Sequence, residues 1–426
     1  MLYSLTVYTR ALSRSDKKII HVDKNPYYGG AEAAVSLQEA QEWVDNVNKG
    51  VSCLSMLQYF LGNTLLTCFD KLEPGKTPFE KAEIYAPPDA PETGTKLSSS
   101  RAYTLSLSPH MIYSRSRVLP ALLSSKVYRQ LEFQAVGSWW ISKAKSPSDG
   151  TDGDSSLYRV PSSREDVFAD DLISVKSKRT LMKFLRHIGK PRQDDESQTE
   201  QDDMSVAFPD YLSSKFQVPA ELHDPLLSLS LSQTSPQQTS AEFAVSRIQR
   251  HLASVGVFGP GFGSLLAKYG SSSELAQVGC RALAVGGGVY VLNSGIESIT
   301  NSADSNSEGT RMELKLSSGE SIRAKTVVGS HWDLPGQTLV TQPSCDRAVR
   351  SINIISSPLD SLFPVTAEGG PIPAGAVVVF PASILGQPED SPPVYLMVHS
   401  SETGECPPGQ SKFLFCFEEY PTLALT

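Results

Sequence analysis

Apolar and polar positions along this chain change their period twice, dividing it into three stretches. In the first, Leu5, Tyr8 and Leu12 keep helical spacing and predict a helix over 4–14. A β-branched run, Ile19-Ile20-His21-Val22-Asp23, follows a polar turn at Ser15 to Lys18 and predicts a strand. It ends in Asn25-Pro26-Tyr27-Tyr28-Gly29-Gly30, where proline fixes φ and the glycine pair permits φ > 0. A helix followed by a strand in this way belongs to a parallel, doubly wound α/β sheet. Residues 86–100, from Pro87-Pro88 to Ser98-Ser99-Ser100, predict a flexible loop.

From 118 onward the period becomes helical. Val118-Leu119, Leu122-Leu123, Val127 and Leu131 predict one helix. Val167, Leu172 and Val175, then Leu181, Phe184, Leu185 and Ile188, predict one or two more. Phe208, Tyr211, Leu212 and Phe216 give a short amphipathic helix. Val245, Ile248, Leu252 and Val255 give a strong one, stopped by Gly256. The Ser/Asp/Gln/Pro-rich tracts Lys145 to Ser156, Lys190 to Asp203 and Ser228 to Ser240 are too polar for a core and predict surface loops. These signals predict an all-helical domain over 118–254, inserted into a discontinuous domain made of 1–117 and 255–426.

After 285 the pattern is that of strands: Val289-Tyr290-Val291-Leu292, Arg311 to Leu316, Ser321 to Val328, Ile352 to Ile355, Ala376 to Phe380 and Val394 to Val398. Residues 296–328 predict hairpins turning at Ser317-Ser318-Gly319. No internal repeat is visible.

Composition narrows the function classes. At 426 residues, with 40% hydrophobic residues, the chain is long enough for two domains around buried cores. A formal charge of -8 argues against a nucleic-acid binder, which carries a basic excess. The six cysteines are scattered without a C-x-x-C pair, as expected of reduced cytosolic thiols rather than a disulfide framework or zinc site. No apolar run reaches the roughly 18 residues needed to span a bilayer. No secretion signal opens the chain. A cytoplasmic protein is expected. His21, His187, His251 and His331 lack a carboxylate or cysteine at a motif spacing, and no G-x-S-x-G, H-E-x-x-H or P-loop is present. Neither catalysis nor a metal is predicted.

Two strings carry the chemistry. Asp23 stands where a dinucleotide fold places the acid that binds the adenosine ribose. That role needs a glycine-rich turn upstream to approach the pyrophosphate, and residues 1–28 contain no glycine. Asp23 therefore reads as a structural strand-end carboxylate, no cofactor is expected, and a flavin-dependent oxidoreductase is disfavoured. The second string runs from Tyr269 to Arg281 and on through Gly286-Gly287-Gly288 to Asn293. A helix starting near Ser271 puts Glu274, Gln277 and Arg281 on one face, with Leu275, Val278, Ala282 and Val285 opposite. By spacing alone a capping box of Glu274 with Ser271 and a solvated Arg281 is the favoured reading over a recognition face. Both readings stand on the residues themselves.

Together these strings resemble the signature of the Rab GDP-dissociation inhibitor and Rab escort protein superfamily, whose fold is flavoprotein-like without flavin. The resemblance implies a doubly wound α/β domain with added sheet and an inserted helical domain. It implies a platform that reads the switch regions of GDP-bound Rab GTPases, with Tyr28, Gly29, Gly30, Glu274, Gln277, Arg281, Val289 and Val291 as binding residues. Tyr128 to Phe133, Tyr158 to Ser162 and Arg179 to Ile188 look like segments of the helical domain, which in the family holds geranylgeranyl tails and, in escort proteins, docks Rab geranylgeranyltransferase. Phe208-Pro209-Asp210-Tyr211-Leu212, the Ser-Leu-Ser-Leu-Ser tract from 228 and the long polar insertions favour the escort branch over the dissociation inhibitor. The implied protein is a non-catalytic accessory factor that meets membranes transiently.

The match is imperfect in places. Ala276-Gln277 replaces the family's Pro-Gln, and Phe262 to Tyr269 replaces a more aromatic stretch. The docking helix would fall near 204–232, without an evident aromatic anchor. Residues before the Asp23 strand are too few for a strand, a turn and a full helix, and the chain ends soon after Phe413 to Phe417. The sequence thus predicts a sheet lacking its middle strand, with exposed edges.

Overall fold

A computed structural model of the protein describes residues 17–51, 78–85, 97–144, 155–161, 164–189, 204–302, 311–330, 332–335 and 348–418. The helix expected over 4–14, His331, and most of the tracts 145–156 and 190–203 lie outside them.

The helices are α1 (Leu37–Val51), α2 (Val118–Ser125), α3 (Arg164–Ala169), α4 (Val175–Ile188), α5 (Phe208–Tyr211), α6 (His223–Ser228), α7 (Ala241–Ser254) and α8 (Ser272–Val285). The strands are β1 (Ile20–Val22), β2 (Ala34–Val35), β3 (Leu105–Ser106), β4 (Ile112–Tyr113), β5 (Phe133–Ala144), β6 (Ser155–Arg159), β7 (Ser264–Ala267), β8 (Val289–Val291), β9 (Ile296–Ser302), β10 (Arg311–Leu316), β11 (Ser321–Ala324), β12 (Ala348–Ile355), β13 (Gly375–Phe380), β14 (Val394–Ser400) and β15 (Ser411–Glu418). The mixed α/β class is as expected.

Two compact units divide the chain, one drawn from 1–109, 121–132 and 269–344, the other from 110–120, 133–268 and 345–426. Their limits do not coincide with 117/118 and 254/255.

In the first unit β1 and β8 form a parallel pair, β2 and β3 a short antiparallel pair, and β9, β10 and β11 an antiparallel meander. The meander turns at Ser317-Ser318-Gly319 as the sequence predicts, with Gly319 at φ 87. Helix α8 turns Leu275, Val278 and Leu283 inward.

The second unit is built on one sheet in the order β12-β15-β14-β13-β5-β7-β4, with β6 added to β5. Strand β5 pairs in parallel with β13 and antiparallel with β7 and β6. Here the structure corrects the all-helical expectation for 118–254, because β5 is a twelve-residue strand within it. Residues 135–139, 141 and 142 of β5 are buried. A strand covered on both faces has no polar-apolar alternation, so its period was hidden. Side chains of the sheet alternate cleanly between two cores. Trp139, Ile141, Val377, Val379 and Tyr395 join Leu181, Phe184, Phe208, Leu212 and Ile248 from the helices. On the opposite face Ala376, Val378, Leu396 and Val398 meet Leu362 and Phe363. Phe184, at 0% exposure, contributes on the order of 2–3 kcal/mol by burial. The helices start on serine caps: Ser174 accepts from Ser177 N at 3.1 Å before α4, and Ser240 from Phe243 N at 3.3 Å before α7.

The tract 228–240, expected as a surface loop, is instead largely internal. Ser228, Ser230, Ser232, Ser235 and Thr239 are buried. Their hydroxyls are satisfied locally: Ser228 Oγ donates to Pro225 O at 2.6 Å, Ser230 Oγ to Leu227 O at 2.6 Å, and Ser232 meets Thr239 at 2.7 Å. Polarity alone misled, because short hydroxyl side chains can bond to their own backbone and be buried.

Candidate functional site

The turn after β1 is tied from within. Asp23 Oδ1 accepts from the Asn25 backbone N at 2.9 Å and from its Nδ2 at 2.8 Å. Asp23 N donates to Val291 O at 2.9 Å, and Ser294 N donates to Asp23 O at 2.9 Å. Burial pushes the Asp23 carboxyl upward, against the two bonds from Asn25. This is the structural role its lack of an upstream glycine turn suggests. Gly29 at φ 107 and Gly30 at φ 53 then reverse the chain in the left-handed region, where other side chains are strained. Tyr27 accepts from Trp43 Nε1 of α1 at 3.1 Å. Tyr28 turns inward and is 8% exposed.

Helix α8 begins from an unusual backbone. Tyr269, Gly270 and Ser271 have φ of 65, 131 and 55 in succession. Ser271 occupies the cap position, but its side chain makes no capping bond, so no capping box with Glu274 forms. Ser272 Oγ donates to Ser108 O instead, and Ser273 Oγ donates to Gly270 O at 2.9 Å. At the other end Gly287 N donates to Ala284 O and Gly288 N to Leu283 O, both at 3.0 Å, closing the helix in a Schellman motif with Gly287 at φ 82. A Cβ on Gly288 would meet Leu283 Cδ1 at 2.4 Å, so the chain leaves the helix tight against its own core residue.

The three polar positions of α8 share a face as expected. Gln277 and Arg281 are exposed and Glu274 is half-buried. Burial pushes the Glu274 carboxyl up while Arg281 pulls it down. On the apolar side Leu275 and Val278 are buried, but Val285 is 84% exposed, because the helix ends there and its last turn projects past the core. Val289 on β8 is 55% exposed and Val291 half-buried.

Tyr290 brings these pieces together. It pairs in register with His21 across the β1–β8 ladder, and their rings stack at 4.9 Å and 23°. Tyr28 meets Tyr290 edge-on at 5.1 Å and His21 at 5.3 Å. Cys280 of α8 shares a hydrogen bond with Tyr290, and burial pushes both the thiol and the phenol up. Turn, helix and strand thus converge on one aromatic cluster. Tyr28 belongs to the cluster, Gly29 and Gly30 shape the bend beside it, Val289 and Val291 flank Tyr290 on β8, and Glu274, Gln277 and Arg281 stand on the helix that carries Cys280, with Gln277, Arg281 and Val289 exposed. The sequence reading missed His21, Cys280 and Tyr290 as organisers. Tyr290 had a signal, since it alternates with Val289 and Val291 and must point the other way.

Among the described residues no group of His, Cys, Asp and Glu could hold a metal. A cavity of about 220 Å³ in the second unit is lined by His223, Asp224 and Glu389 beside Ile141 and Val379.

Comparison with known proteins places this geometry. The family model described as GDP dissociation inhibitor matches residues 80–372. The chain belongs to the GDP dissociation inhibitor family. Within that family it is 28% identical over 315 residues to Rab proteins geranylgeranyltransferase component A of Saccharomyces cerevisiae, covering 72% of this chain and 45% of that one. It is 29% identical over 350 residues to the protein of the same name in Drosophila melanogaster, covering 82% and 60%. A Rab GDP-dissociation inhibitor of S. cerevisiae is 23% identical over 402 residues, covering 93% and 73%. The chain spans about half the length of the two component A relatives. A crystal structure of a Rab GDI from Plasmodium falciparum aligns over 99% of this chain and 81% of its own, with a TM-score of 0.65 at 16% identity. The fold is therefore that of a Rab GDI.

Proposed function

We propose that this chain is a Rab escort factor: it binds GDP-bound Rab GTPases, presents them to Rab geranylgeranyltransferase and delivers the prenylated product to membranes. The observation that carries this is that the double-tyrosine turn, the Val289–Val291 strand and, through Cys280, the helix bearing Glu274, Gln277 and Arg281 all meet at Tyr290. Exposed Gln277, Arg281 and Val289 supply contacts of three kinds, amide, cation and apolar, on a backbone held rigid from beneath. Glu274 and Val291 flank them. Tyr28, Gly29 and Gly30 set the shape of the bend. The identities of 28% and 29% to proteins named for the transferase's component A support the escort branch. In this reading the bond-making chemistry belongs to the transferase.

The geranylgeranyl groups need an apolar recess, since an isoprenoid in water is costly. The cavity edged by Asp224 and Glu389 is a poor match for a hydrocarbon. Among the described residues no helix is long and apolar enough to cross a membrane.

A pull-down with GDP-loaded and GTP-loaded Rab tests the reading. Preferential capture of the GDP form, with prenylation by the transferase made dependent on this chain, is the expected result. Equal capture of both nucleotide forms sinks it.

A further inference from the structure

We propose that His21 is a positioning residue of this site: its imidazole, touching Tyr28 and Tyr290 at once, holds the double-tyrosine turn against the strand that carries Val289 and Val291. The consequence for binding rests on the Rab-platform reading; the structural role does not.

Three rings form a closed triangle. His21 lies flat on Tyr290 at 4.9 Å and 23°, and Tyr28 stands edge-on to both, at 61° and 84°. Edge-to-face and offset-stacked pairs are the favoured aromatic arrangements, each adding to simple burial. Tyr28 follows the turn's proline and precedes its glycines, so fixing its ring fixes the bend. The glycines themselves supply freedom and not order, so beyond the Asp23–Asn25 bonds the bend leans on what Tyr28 packs against. Of Tyr28's two ring partners, Tyr290 comes from β8 and His21 from β1. Removing His21 takes away the ring that stacks on Tyr290 and one of the ring contacts that hold Tyr28.

Among the described residues the charged and titratable groups facing this imidazole can be named. Asp23 follows just after β1, Asp333 comes from the 332–335 segment with Lys24 beside it at 4.0 Å, and the phenols of Tyr28 and Tyr290 pack on the ring, with Cys280 bonded to Tyr290 from α8. Burial lowers the imidazole's affinity for a proton, against the pull of Asp23 and Asp333. The folded turn thus binds that proton less well than the unfolded chain, whose histidine titrates near 6.5. The order that His21 lends is complete above about pH 6.5 and declines as pH falls below it.

The test uses the full chain with His21→Ala, which removes the ring, and His21→Phe, which keeps a ring without a titrating proton. Amide exchange protection across Tyr27 to Glu32 and affinity for GDP-loaded Rab are measured at about pH 7.5 and 5.5. His21→Ala should lose protection in the turn and about tenfold in affinity. His21→Phe should keep both at the higher pH and lose the wild-type decline at the lower one. Wild-type protection in His21→Ala, or an unchanged pH dependence in His21→Phe, overturns the proposal. If the wild type captures no Rab, the platform reading falls while the exchange measurements still decide His21.

Discussion

Tyr290 donates its hydroxyl to that of Tyr28 across 3.5 Å, although the two residues lie 262 positions apart in the chain. The bond is long, and its weight is less in its own energy than in what it registers. One phenol belongs to the bend after β1, the other to the strand after α8. Their meeting joins both segments to a shared aromatic cluster.

Arg281 is exposed at one end of the polar face of α8, so its loss should cost binding and not folding. Arg281→Ala should weaken capture of GDP-loaded Rab about tenfold, the scale of an interface anchor. Titration calorimetry beside a thermal melt separates the two effects. Unchanged affinity would remove Arg281 from the platform.

Gly288 allows the chain to leave α8 in contact with Leu283. A methyl group there would lie 2.4 Å from both Leu283 Cδ1 and Cγ, so Gly288→Ala must displace a fully buried side chain. Overpacking of this kind costs about 1–3 kcal/mol. Urea denaturation should show that loss, and a midpoint equal to wild type would mean Leu283 repacks freely.

Glu405 is enclosed with Lys412 and His399, its Oε2 at 2.5 Å from each, with Lys412 at 0% exposure. Burial alone would raise its carboxyl, but Lys412 and His399 outweigh it and hold it at about 2. A carboxyl so lowered stabilises the fold above its ordinary value of 4.5, and that contribution is lost as pH falls from 4.5 through about 2. Lys412→Met strands a buried charge and should cost about 3–5 kcal/mol, whereas Glu405→Leu with Lys412→Met should recover most of it. Equal stability of the single and double variants would contradict the buried-pair account.

His251 is wholly enclosed beside Trp139 and Tyr113, whose hydroxyl approaches Nδ1 at 3.3 Å. Burial lowers its imidazole to about 4 from an ordinary 6.5. The unfolded chain takes up the proton first, so stability is full above 6.5 and falls by on the order of 3 kcal/mol as pH drops toward 4. His251→Gln should flatten that dependence in urea titrations run across the same range. A slope identical to wild type would assign the acid sensitivity to other groups.

Much of the site was legible in the chain itself. The residue types in Asn25 to Gly30 dictate a bend, the spacing of Glu274, Gln277 and Arg281 dictates a shared face, and Gly286 to Gly288 dictates where that helix stops. These are local consequences of backbone sterics and helical period, and they need no knowledge of distant partners. Tertiary structure alone decided which side chains of those segments face inward. Tyr28 became an internal prop and His21 part of the floor, because β1 and β8 pair in parallel and bring together rings far apart in the chain. For the same reason β5 was hidden: a strand covered on both faces keeps no period of its own, and its neighbours β6, β7 and β13 define it.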